Sequence, residues 1–312
     1  MKTLITGGAG FIGTALTNFL LNRGHEVIVL DNFLDQIHGD IKTYSFNSDV
    51  TYIVGDVRNH ADWIKCLQHD PEILVHLASE TGTGQSMDEI TRYCSTNMIG
   101  TSVMLDVINN HKHTIKKVVL SSSRAVYGES TNCESNKDLK PISVYGVTKL
   151  TQEQLITAGC KVPYVILRYQ NVYGQGQSLK NPYTGIISIF SNILNAGGEV
   201  TLFDKGLATR DFIHVEDVVV ATYLSMCSDT VNNGLYNVGT GAQITISEVT
   251  AKLKKLLGSS GKIMVSDYHR PGDVLHATAN VERIKNDLNW KSGVDIDSGL
   301  QMFVEWFKEQ NS

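Results

Sequence analysis

Short runs of β-branched and aliphatic residues alternate, through the first half of the chain, with longer stretches whose apolar positions recur every three or four residues. The segments "KTLIT" (2–6), "EVIVL" (26–30), "TYIVG" (51–55), "EILVHLA" (72–78) and "KVVLSS" (117–122) read as buried strands, and "PYVILR" (163–168) as a sixth. Helical periodicity separates them over Phe11 to Arg23, Arg58 to Gln68, Met87 to Asn110 and Val144 to Ala158. Such alternation predicts a parallel sheet covered on both faces, a doubly wound α/β fold. Past Tyr169 the rhythm loosens into longer loops, with helices expected over Thr184 to Ala196 and Glu282 to Leu288. A first domain over 1–170 and a smaller C-terminal lobe over 171–312 are therefore expected, with about 206–240 returning to the first domain.

Composition narrows the function classes. The 312 residues are 42% hydrophobic and 19% charged, which suits a large core. A net charge of −5 without a long basic run disfavours nucleic acid and anionic membrane as partners. Five scattered cysteines (Cys66, Cys94, Cys133, Cys160 and Cys227) lack metal-ligand spacing and fit reduced thiols. With no signal-peptide pattern and no apolar run of spanning length, a cytoplasmic location is expected, and no metal site is legible.

The first motif with chemistry is "TGGAGFIG", which follows the first strand and opens the first helix. Its glycines Gly7, Gly8, Gly10 and Gly13 permit a tight turn that brings backbone N–H groups and a helix N-terminus to a pyrophosphate. Asp31 ends the second strand, eighteen residues past Gly13, where a carboxylate accepts ribose hydroxyls and repels a 2′-phosphate. Asn32, Phe33 and Leu34 offer no cation for that phosphate, so NAD is expected over NADP. Asp56 in "GDVR" either receives the adenine amino group or caps a helix. The first domain is thus expected to be a Rossmann-type NAD-binding unit.

The second motif is "SVYGVTKL" (143–150), which sets Tyr145 and Lys149 one helical turn apart on one face. A phenol ionises near pH 10 in water, too high for an effective base at neutral pH, and a neighbouring ammonium stabilises its anion. Upstream, "SSSRAVYGE" ends the fifth strand, and a serine there can donate to a substrate oxygen as charge builds on it.

Together these motifs resemble the extended short-chain dehydrogenase/reductases, the NAD-dependent nucleotide-sugar epimerase/dehydratase family. "LDN", "GDVR", "HLAS", "NMIGT", "LRYQNVYG", "RDFIHVEDVV" and "YNVGTG" stand in that family's order along nearly the whole chain. The resemblance implies Ser123 as the hydroxyl donor, Tyr145 as base and Lys149 as its partner. It also implies cofactor contacts from Phe11 and Ile12 in the glycine loop, from Asn32 and Val57 beside the two aspartates, and from Leu77, Ala78, Thr96, Tyr169 and Val172. The family's sugar dehydratases carry adjacent acids after this serine, whereas this chain reads Ser123-Arg124-Ala125, which argues against dehydration.

Two chemistries remain: a nucleotide-sugar 4-epimerase that retains NAD, and an NAD(P)H-dependent 4-keto-sugar reductase. Asp31 favours the first. "TGTGQSMDEI", "RYQNVYGQGQSLKNPYTGIISIF" and "KGLATRDFIHVEDV" resemble the bacterial dTDP-L-rhamnose 4-epimerases, although UDP-sugar 4-epimerases share much of the pattern. By this resemblance Asn171, Arg210 and Arg270 face the nucleotide diphosphate, since a guanidinium fork suits phosphate oxygens. Arg210 otherwise pairs with Asp211 or Glu216. Phe203 either stacks on a pyrimidine or fills a core. Glu80, Thr81 and Ser86 fall in the loop where the sugar belongs. His76 reads as a buried core histidine, His111 and His113 as solvated, and Cys94 and Cys133 as small fillers. A homodimer is also implied, through the Met87–Asn110 and Val144–Ala158 helices. Val103, Val107, Leu150 and Leu155 either serve that contact or face the sheet.

Overall fold

The computed structural model describes residues 1–133, 139–183, 185–270 and 272–311. Thr184, where one helix was expected to begin, and the side chain of Cys133 lie outside the described residues. Seven parallel strands form the main sheet: β1 (Lys2–Thr6), β2 (Glu26–Asp31), β3 (Val50–Val54), β4 (Ile73–His76), β5 (Lys117–Ser123), β6 (Tyr164–Tyr169) and β7 (Gly234–Val238). Their order is β7-β6-β5-β4-β1-β2-β3. It reverses direction between β1 and β4, which opens a crevice at the carboxyl ends of those two strands.

Alternation along each strand explains the two covered faces. Ile5, Val29, Val75, Val119 and Leu167 pack one way, against Leu16 and Leu20 of α1 (Phe11–Leu21). Their neighbours Leu4, Leu30, Leu74, Leu120 and Ile166 pack the other way, against Trp63 of α2 (His60–Leu67), Met104 and Ile108 of α3 (Gly100–Asn110) and Ile156 of α4 (Val144–Gly159). Val107 is fully buried in that second core, where Val103 and Leu155 also pack, while Leu150 lies on Val126 and Tyr127. Of the four residues considered for a dimer contact, Val107 is thus buried and the other three are half-buried.

The helix expected as one piece over Met87 to Asn110 is instead a succession of segments. Thr83–Asp88 and Ile90–Tyr93 meet at Glu89, and a π-helical turn over Cys94–Ile99 leads into α3. The π turn aims the fully buried Asn97 at the loop after β4, where its Oδ1 accepts from Ser79 Oγ (2.9 Å) and Glu80 N (2.8 Å).

A third core belongs to the C-terminal part. It joins α5 (Ile186–Asn195), α7 (Ile246–Leu257) and α8 (Ile296–Gln310) around Leu194, Leu253, Phe303 and Phe307. Between them α6 (Val215–Cys227) and β7 go back to the main sheet: α6 supplies Val218 and Val219 to the first core, and β7 pairs with β6.

Candidate active site

One cleft of about 760 Å³ runs along the carboxyl edge of the sheet, from the glycine loop to the C-terminal lobe. At its floor Gly7 adopts φ +67°, and a Cβ there would lie 2.7 Å from Ala78 N, so only glycine lets the β1 and β4 ends come this close. The N-terminus of α1, at Gly10, carries no side-chain cap, which leaves its first amides available to an anion.

Asp31 is 8% exposed, and its carboxylate accepts from Ala9 N (3.1 Å) and Phe33 N (2.9 Å). Burial pushes the carboxyl upward while those amides and His38 pull it down. His38 was not foreseen: the short helix Asp35–His38 folds its Nε2 to 3.7 Å from Asp31 Oδ1, on the wall of the same cleft. Burial lowers its pKa, so it is no standing cation for a 2′-phosphate. Asn32, Val57, Leu77, Ala78, Thr96, Tyr169 and Val172 also line the cleft, with Phe11, Ile12 and Gly13. Asp56 does not. Its carboxylate is held by Arg58 through bonds of 2.9 and 2.6 Å, which keeps it below the usual carboxylate range.

At the centre, Ser123, Tyr145 and Lys149 converge. Ser123 ends β5 and accepts from Ala125 N (3.1 Å). α4 starts against that turn because its second residue beyond the first is Gly146, where a Cβ would come within 2.5 Å of Ala125 O. Ser143 caps the helix through Gly146 N (3.1 Å), and Ser86 Oγ accepts from Tyr145 N (3.0 Å). Burial pushes the Tyr145 phenol up to about 12, with the Ser123 hydroxyl opposing. Lys149 is 2% exposed; its ammonium donates to Ser121 O (2.9 Å) and lies 6.0 Å from the centre of the Tyr145 ring. Burial pulls it down to about 7 against the opposing charge of Glu153.

Beneath them runs a buried polar network that sequence reasoning missed. Glu153, one turn past Lys149, takes two bonds from Arg168 (2.8 and 2.6 Å) and one from Ser122. Arg168 continues to Tyr127 OH (2.9 Å), which donates to Asn237 Oδ1 (2.6 Å). Glutamate at i+4 from the lysine was a usable signal, because that spacing keeps it on the same face.

At the far end stand the residues assigned to substrate. Arg210 lines the cleft, donates only to the carbonyls of Thr209 and Leu275, and has no carboxylate within ion-pair distance among the described residues. Burial lowers its pKa, so a bound anion would relieve a desolvated charge. Asn171 also lines the cleft, and its Oδ1 is buried without a hydrogen-bond partner among the described residues. Arg270 pairs with Asp273 (2.8 Å) and lies 4.9 Å over the ring of Phe203, which is half-buried on the cleft wall rather than in a core. Glu80 and Thr81 line the cleft, Glu80 bonded to Arg92 (2.8 Å) and Thr81 O accepting from Tyr93 OH (2.5 Å). Ser86 is off the wall, its hydroxyl committed to Thr83 O and Tyr145 N. His76 is a satisfied core residue between Thr6 (2.7 Å) and Thr101 (3.2 Å), pulled down to about 3 by burial.

A glycine loop, a buried strand-end carboxylate and a Ser-Tyr-Lys centre on one parallel-sheet edge define a dinucleotide-dependent enzyme of the extended short-chain dehydrogenase/reductase class. The chain belongs to the NAD dependent epimerase/dehydratase family, whose model matches residues 3–239. NAD is its cofactor, and the uncapped α1 terminus, Gly7 and Asp31 fit it. Among relatives, a dTDP-L-rhamnose 4-epimerase of Burkholderia thailandensis is 33% identical over 99% of this chain and 95% of that protein. A putative UDP-glucose 4-epimerase of Methanocaldococcus jannaschii is 31% identical over 99% of both. The crystal structure of a Thermotoga maritima UDP-glucose 4-epimerase with UDP-glucose superposes with TM-score 0.89 at 30% identity, over all of both chains. No helix among the described residues is long and apolar enough to cross a membrane.

Proposed function

We propose that the chain is a nucleotide-sugar 4-epimerase, an isomerase that interconverts dTDP-L-rhamnose and dTDP-6-deoxy-L-talose. The observation that carries this reading is the meeting of Ser123, Tyr145 and Lys149 in one cleft with the guanidinium of Arg210, which has no carboxylate within ion-pair distance among the described residues. Bound NAD supplies the acceptor and donor of hydride. Tyr145 takes the proton of the C4 hydroxyl, Ser123 holds that oxygen as its charge changes, and Lys149 favours the phenolate. Arg210 and Arg270 take the diphosphate, and Phe203 offers a face to the base.

The dTDP sugar is supported by the Burkholderia relative and by the segments around Ser86, Asn171 and Arg210. A UDP-sugar 4-epimerase is the second reading, favoured by the Thermotoga structure with UDP-glucose. A homodimer in the cytoplasm completes the proposal. Its contact would use the exposed Ile90, Ile99 and Val147 on the helices around Tyr145, and a light-scattering mass near 34.3 kDa would count against it.

Incubation with dTDP-L-rhamnose and no added reductant should give the C4 epimer, read by proton NMR. Tyr145→Phe should cut turnover by roughly a hundredfold or more while NAD stays bound. A stoichiometric need for NADH, or normal turnover by Tyr145→Phe, would contradict the reading.

A further inference from the structure

Three side-chain amides meet across the cleft. Gln36, on the short helix after β2, and Gln85, on the short helix after β4, form a reciprocal pair, each Nε2 donating to the other's Oε1 at 3.0 and 3.1 Å. Gln36 Nε2 also reaches Asn181 Oδ1 of the C-terminal part at 3.3 Å. Gln85 and Asn181 are 4% and 3% exposed, so the bonds are shielded from water. Gln36 and Asn181 line the cleft shared by Gly7, Asp31 and Lys149. The partners are 49 and 145 positions apart, so the bridge ties separate walls of one cleft rather than neighbours in one loop.

We propose that Gln36, Gln85 and Asn181 form a clasp that retains the dinucleotide between turnovers. This rests on the NAD cleft described above, and not on which sugar is bound. An enzyme that takes a hydride and returns it in one cycle gains nothing from exchanging its cofactor, whereas a reductase must exchange it each time. Gln85 also precedes Ser86, which holds the backbone N–H of Tyr145, so opening the clasp disturbs the start of the base helix. Retention and catalytic geometry are thereby linked.

The test is the rate of NAD release. Purified protein is loaded with NAD⁺, desalted, and the free dinucleotide in ultrafiltrates is followed over time. Gln36→Ala and Gln85→Ala should each release it at least about tenfold faster than the unaltered protein, because each loses the same shielded amide pair. The double variant should then be no faster than Gln36→Ala, which already loses the bond to Asn181 as well as the amide pair. Asn181→Ala should give a smaller acceleration. If Gln85→Ala fails to fold, Gln36→Ala and Gln36→Leu decide the matter alone. Unchanged release in the Gln36 variants, or single effects that multiply in the double variant, would overturn the clasp. Epimer formation by the unaltered protein is scored separately, so a failed clasp and a failed epimerase reading give different results.

Discussion

Burial moves the protonation of Tyr145 and Lys149 in opposite senses, and the lysine makes this measurable. An ordinary lysine holds its proton to about pH 10.4, whereas Lys149 in the folded chain gives it up near about 7. Below pH 7 both states bind the proton, and the group's unfavourable contribution is constant. Between 7 and 10 the unfolded chain binds more protons, so folded stability rises with pH by up to about 1.4 kcal/mol per unit. Urea unfolding of cofactor-free protein should show this gain, about 2 kcal/mol from pH 7 to 9, and Lys149→Met should remove it; an identical pH slope in the variant would refute the assignment. Asp31, Tyr145 and Lys149 were legible because strand end and helical spacing fix where they point. Asp56 and Ser86 have partners that their motifs did not announce, since Arg58 lies close enough to pair with the carboxylate and the Thr83 carbonyl accepts from the hydroxyl. Gln36 and His38 carried no signal, because their contacts come from a fold-back of one short turn onto distant walls.

α4 joins the base to the rest of the molecule. Glu153 on α4, Ser122 on β5 and Arg168 on β6 fasten three elements through one buried ion pair, its members 3% and 1% exposed. Glu153→Ala would strip the carboxylate from a buried guanidinium and should cost about 3–5 kcal/mol in chemical denaturation. A loss within about 0.5 kcal/mol, typical of a surface site, would show that the network does not hold these elements together. The six foreseen strands were readable because both-face burial writes continuous β-branched runs. β7 was not read as a strand, since Gly234 and Asn237 interrupt the apolar run of "GLYNV", which reaches the sheet only after the excursion through the C-terminal part. The broken helix before α3 was hidden for another reason: its apolar pattern is continuous, and the interruption answers the demand of Ser79 and Glu80 for Asn97.

At the scale of the whole molecule, the cleft lies between the carboxyl edge of the sheet and a lobe that brings Phe203, Arg210 and Arg270 to its far end. Glycine spacing and strand order made the cofactor half of this cleft legible. The substrate half depends on long loops, whose path is set by packing on the third core rather than by local pattern. The chemistry is predicted to stay at one carbon, with one hydride leaving C4 for the cofactor half of the cleft and returning to the opposite face of the same carbon. The most direct measurement uses dTDP-L-rhamnose deuterated at C4, incubated with the protein in ordinary water. The deuterium should be found at C4 of the epimer, because it never exchanges with solvent. Its replacement by a water proton, or the absence of any epimer from dTDP- and UDP-sugars alike, would contradict the account.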